Sequence, residues 1–174
     1  MKGNIILNCG ISGSGKSTWT RNKVFDDNTY IRCNRDDFRT IYGISNYYKR
    51  SDIGKLEKIV SFQEDALIIK LISENYNVII DNTHLKKEYL ERWIKAIELR
   101  DCTFNIKLFD CDLKEAKNRV IRRDFYKEYE DQITLDINVD LSKSPEVDYI
   151  DKHYQQYESI KKFINKEYSS LIIT

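Results

Sequence analysis

A chain of 174 residues is long enough for one domain with a substantial core and short for two. Charged residues make up 33% of it, yet 29 Lys and Arg against 28 Asp and Glu leave a net charge of only +1. That balance excludes a protein that coats long nucleic acid through a basic excess, and favours local contact with a short piece of ligand.

Four cysteines (Cys9, Cys33, Cys102 and Cys111) lack C-x-x-C spacing and sit in or beside apolar runs. They read as reduced core residues of a cytosolic protein, not as a zinc site or a disulfide frame. The opening "MKGNIILNCG" has too short an apolar stretch for a signal peptide, and no run reaches transmembrane length. A cytoplasmic protein without membrane contact is expected. Abundant Lys, Asn, Ile and Tyr beside a single Pro point to an AT-rich genome, that of an AT-rich bacterium or of a phage acting in its host's cytoplasm.

The first element is a short apolar strand, "NIILNC", and "KSTWTRNKVF" reads as the helix after the next turn. Between them, Gly10-x-x-x-x-Gly15-Lys16-Ser17 spells a P-loop in its proper strand-to-helix context. Gly10, Gly13 and Gly15, with Ser12, Ser14 and Thr18 in the same stretch, let backbone N–H groups turn onto the phosphates of ATP or another nucleoside triphosphate. Lys16 is expected on the β- and γ-phosphates, and the Ser17 hydroxyl on Mg²⁺.

"TYIRCN" is the second strand, and a helix opens at "RDDFRTIY". Asn34 suits its N-cap, with Asp37 three residues on as capping-box partner. Asp36 is left at the strand-end cleft. It serves either as the carboxylate that takes a proton from an attacking alcohol or as a complement to the helix dipole. Arg35 and Arg39 flank it. Arg39 would hold an acceptor phosphate, or Asp36 itself, or a surface ion pair. Tyr42, Tyr47 and Tyr48, followed by Lys49 and Arg50, offer stacking and phosphate contacts to terminal nucleotides, or are ordinary tyrosines of a Tyr-rich chain.

A long helix at 53–75 leads to a buried-type strand at 76–81, "YNVIID". Asp81 closes it where Walker-B chemistry usually sits. It would steady metal-bound water, position Arg39, or form a buried structural ion pair. Thr83 is read as the N-cap of an amphipathic helix at 86–100, and His84 receives no role. A fourth strand at 103–111 precedes a helix at 112–123 carrying Arg119, Arg122 and Arg123. Arg119 and Arg123 are four apart and share a face. They read as a lid answering transferred-phosphate charge, or as a solvated basic helix end. Residues 124–144 read as irregular, a mobile lid or an insertion. Pro145 opens a last helix, and "SLIIT" adds a short strand.

Alternating strands and helices imply one α/β domain over 1–174, a P-loop kinase fold. Its parallel sheet of four to five strands is flanked by helices, its crossovers are right-handed, and its ligands lie at strand carboxyl ends. The Arg-bearing lid falls at about 115–146.

"GISGSGKSTW", "NRDDFR", "IIDNTHL" and the Arg119/Arg123 pair together resemble the 5′-hydroxyl polynucleotide kinases, the bacteriophage-type kinase domain in particular. The resemblance implies Asp36 as general base, Arg39 on the acceptor's 3′-side phosphate, Arg119 and Arg123 on the donor phosphates, and Asp81 as a family acidic position. It also implies 5′-OH ends of RNA or DNA as acceptors. No Asp-x-Asp phosphatase motif follows, so 3′-end healing is either absent or comes from elsewhere, with a separate phosphatase and ligase completing end repair. Two other readings stand beside it: a kinase of a small metabolite or antibiotic alcohol, and a non-catalytic ATP-dependent binder of RNA ends.

Overall fold

β1 (Gly3–Cys9) is buried at every position but Asn4, the pattern of a parallel strand covered on both faces. In the computed structural model, which describes residues 2–43, 51–98, 100, 102–128 and 147–174 (side chains of 124–128 and 147–148 excepted), this strand is the middle of a five-stranded sheet. After it come α1 (Lys16–Asp26), β2 (Tyr30–Cys33), α2 (Arg35–Ile41), α3 (Ile53–Ser73) and β3 (Asn77–Ile80). Then follow α4 (Lys87–Glu98), β4 (Cys102–Leu108), α5 (Leu113–Glu128), α6 (Val147–Glu167), a 3-10 turn at Ser169–Leu171 and β5 (Ile172–Ile173).

The strand order is β2-β3-β1-β4-β5, every pair parallel. Only the β1-to-β2 crossover runs toward the β2 edge; the other crossovers run the opposite way. Right-handed connections therefore place α1 on one face and the remaining long helices on the other. The side chains follow this division. Trp19 and Val24 of α1 pack on Ile6, Tyr30 and Ile79. The larger core joins Ile5, Leu7, Val78, Ile80 and Ile106 to Ile68 and Ile72 of α3, Leu90, Trp93 and Ile97 of α4, Val120 of α5, and Ile160 and Ile164 of α6.

Two boundaries differ from expectation. Residues 124–128, read as irregular, continue α5 as helix to Glu128: "DFYKE" has neither Gly nor Pro to stop the preceding turns. The rest of the expected irregular segment, 129–146, lies outside the described residues. α4 starts at Lys87, so Thr83 is not its N-cap.

Candidate active site

Backbone hydrogen bonds tie the strand ends together. Gly10 N–H donates to Thr83 O (3.1 Å), Phe109 N–H to Cys9 O (2.9 Å), and Asp81 N–H to Cys33 O (2.8 Å). Thr83 thus anchors the entry to the phosphate loop instead of capping a helix.

The loop itself needs glycine at two points. Gly13 and Gly15 have φ of +79° and +93°, in the left-handed region that other residues enter at a cost. A Cβ on Gly13 would also meet Ala116 O at 2.4 Å, so α5 rests directly on the loop. Gly15 caps α1, whose first residue is the buried Lys16. Lys16 Nζ folds back to donate to Ile11 O at 2.6 Å, with Ser14 Oγ at 3.5 Å. Burial pulls its pKa down to about 8, opposed chiefly by the Asp81 carboxylate. The charges of Arg123 and Asp36 reach it as well. Ser17 is partly buried and Thr18 exposed at the same helix start.

α2 begins as expected and is held differently. Asn34 Oδ1 accepts from Asp36 N–H at 2.9 Å, and its amide nitrogen donates to Asp81 O. Asp37 closes no capping box; its carboxylate pairs with Arg32 of β2. Asp36 projects a side chain 78% exposed and ion-paired with Arg39 one turn on. Arg39 also forks onto Glu57 of α3, Nε to Oε1 at 2.8 Å and Nη2 to Oε2 at 2.7 Å.

Asp81 is buried, and both of its oxygens are engaged. Oδ2 receives Arg32 Nε at 2.8 Å and Oδ1 receives Asn8 Nδ2 at 3.1 Å. It grips Arg32, not Arg39. Asn8 Nδ2 also donates to Thr20 Oγ1 (2.8 Å), linking this carboxylate to α1. His84 is buried at φ +46° with Nδ1 2.7 Å from Asn8 O, and burial lowers its pKa to about 4.

On α5, Arg119 Nη1 donates to Gly13 O (3.3 Å) while Nε pairs with Glu115 (2.7 Å). Arg119 therefore stands at the phosphate loop, and Arg123 follows one turn later. Tyr42 ends α2 with 45% of its surface exposed; Tyr47, Tyr48, Lys49 and Arg50 lie outside the described residues. Sequence reading missed Glu64, Glu57, Arg32 and Asn8. One of them left a signal: Glu64 falls at four-residue spacing among Val60, Ile68 and Ile72 on the inward stripe of α3.

The model of the AAA domain family matches residues 5–138. A protein of Autographa californica nuclear polyhedrosis virus with the provisional name bifunctional polynucleotide kinase/RNA ligase is 26% identical over 128 residues, 68% of this chain and 18% of that protein. A chain of the Pnkp1/Rnl/Hen1 RNA repair complex superposes with a TM-score of 0.70 at 25% identity, over 92% of this chain and 46% of its own. A chain of the PezAT toxin–antitoxin system of Streptococcus pneumoniae matches with a TM-score of 0.64 at 18% identity, over 75% of this chain and 55% of its own, a likeness of fold alone. The chain spans less than half the length of the first two relatives.

Proposed function

The chain belongs to the AAA domain family, and from that premise we propose that it is a polynucleotide 5′-hydroxyl kinase. It moves the γ-phosphate of ATP to the 5′-OH end of a polynucleotide. The names of the relatives, a polynucleotide kinase/RNA ligase and an RNA repair complex, favour RNA ends and an end-healing role alongside an RNA ligase activity. On this reading 1–174 is one kinase domain, and Arg119 and Arg123 of α5 act as its lid arginines. It works in the cytoplasm; among the described residues no helix is long and apolar enough to cross a membrane.

One observation carries the reading. An exposed carboxylate at a strand end, Asp36, is fixed through its own N–H and lies within electrostatic reach of the phosphate-loop lysine. Asp36 takes the proton of the 5′-hydroxyl as that oxygen bonds to the γ-phosphorus; the bond to the β-γ bridging oxygen breaks and ADP leaves. Lys16, Arg119 and Arg123 answer the charge spread over the phosphoryl oxygens, and Arg39 orients Asp36 and receives the acceptor's phosphate.

Mg²⁺ asks for few protein ligands when phosphates and water supply the rest. Ser17 fits that need. The two oxygens of Asp81 are already bonded, which suits a carboxylate acting through water rather than as a direct ligand. Bound there, the ion would supply positive charge against the donor phosphates.

Product analysis after incubation with γ-labelled ATP tests the reading. Label on an oligonucleotide 5′ end supports it. Label on a small alcohol instead would move the chain to a metabolite kinase, and label on neither would make it a nucleotide-dependent binder.

A further inference from the structure

α2 carries Asp36, yet none of its seven residues is buried. A helix this short has no stability of its own and no apolar face in the core to fix it. Polar contacts hold it instead, and the deepest belongs to Glu64 of α3. This side chain is fully buried, one turn from Val60 and one turn from Ile68, both fully buried themselves.

Its two oxygens divide their work. Oε2 receives Arg35 Nε at 3.0 Å and Nη2 at 2.8 Å. Oε1 receives Asn82 Nδ2 at 2.6 Å. Asn82 Oδ1 in turn accepts the N–H of Arg35 at 3.1 Å. Arg35 opens α2, Asn82 follows Asp81, and Glu64 is rooted in the core. The three close a ring one residue away from Asp36.

A buried ion pair of this kind adds little net stability, because desolvation consumes most of the Coulombic gain. Its geometry is another matter. Arg35 presents a rigid fork, and Glu64 sits on a long helix that cannot shift without disturbing the core.

We propose that Glu64 and Arg35 are positioning residues, which transmit the rigidity of the α3 core to α2 and hold Asp36 at the distance the acceptor hydroxyl requires. This rests on the kinase reading above and adds to it the element that aims the base. Displacement of a reacting group by about 1 Å costs on the order of 10²-fold in rate. Neither side chain touches the donor site, so the loss falls on the acceptor step.

Two variants test it, with kcat, KM for ATP, KM for a 5′-OH oligonucleotide and thermal melting read on each. Glu64→Gln has one acceptor oxygen where two neighbours donate, so either Arg35 or Asn82 faces an amide N–H₂. The double variant Arg35→Met with Glu64→Met removes both charges at similar volume, a change that leaves buried-pair proteins folded and often more stable. Both should lower kcat by about 10- to 10²-fold with KM for ATP unchanged, and the double variant should stay folded, although Asn82 Nδ2 loses its acceptor. Arg35→Lys should not restore the rate, since a point charge lacks the fork. A folded double variant with wild-type kcat would overturn the proposal while leaving the kinase reading intact. A wild-type protein that phosphorylates no 5′-OH end would overturn both.

Discussion

Lys16 lies folded onto its own loop, and the cost of that burial has a measurable sign. Its pKa falls from 10.5 to about 8, so between those values the unfolded chain holds a proton the folded chain lacks. The group's contribution to stability is least favourable below about pH 8 and improves as pH rises through that window. Triphosphate binding reverses the balance by supplying negative charge. ATP affinity should therefore weaken as pH rises above about 8, with proton uptake on binding, measurable by calorimetry in buffers of different ionisation enthalpy. The aspartates of "RDDF" separate in the same concrete way. Asp36→Asn keeps shape but cannot take a proton, and should lower kcat by about 10²–10⁴-fold with little change in melting. Asp37 pairs with Arg32 through a side chain 55% exposed, so Asp37→Ala should cost under about 1 kcal/mol and leave kcat near wild type. Asp37 is also where sequence reading assigned the wrong partner. N3 spacing from Asn34 was visible, whereas Arg32, from the preceding strand and on the same edge of the sheet, was not.

At the level of elements, α5 and the phosphate loop form one unit. Gly13 touches the α5 backbone at Ala116, and Arg119 returns to Gly13 O. Gly13→Ala adds a methyl group where both φ and space forbid it, and should cost well over about 1 kcal/mol together with nucleotide binding; chemical denaturation and ATP titration check the two losses. Arg123 follows Arg119 on the same helix. Arg123→Ala should lower kcat by about 10³-fold or more, and Arg123→Lys should recover little of it. A loss under about tenfold would make this a solvated helix end. Periodicity located α3 and α4 because each buries a stripe: Leu90, Trp93 and Ile97 in α4 are the plainest. Helix ends were less legible. Thr83 looked like a cap, but the chain spends three more residues, including the left-handed His84, before α4 begins.

For the molecule as a whole, alternation of strands and helices was enough to foresee a parallel sheet with the phosphate loop after its first strand. The order of the strands, with β1 in the middle, was not legible. Nor were the site's supporting charges, because Glu64 with Arg35, Glu57 with Arg39 and Arg32 with Asp81 join residues 29, 18 and 49 positions apart. Only folding brings such pairs together. The central claim is that Asp36, fixed at the end of β2, directs a 5′-hydroxyl at the phosphate held by Lys16. It is tested most directly by giving wild type and Asp36→Asn γ-labelled ATP and Mg²⁺ with one RNA oligomer in two forms, 5′-OH and 5′-phosphate. The account predicts label on the 5′-OH oligomer with wild type, none on the 5′-phosphate form, and loss of transfer in Asp36→Asn with ATP binding retained. Transfer undiminished in Asp36→Asn, or label that never reaches the 5′-OH end although ATP binds, would contradict it.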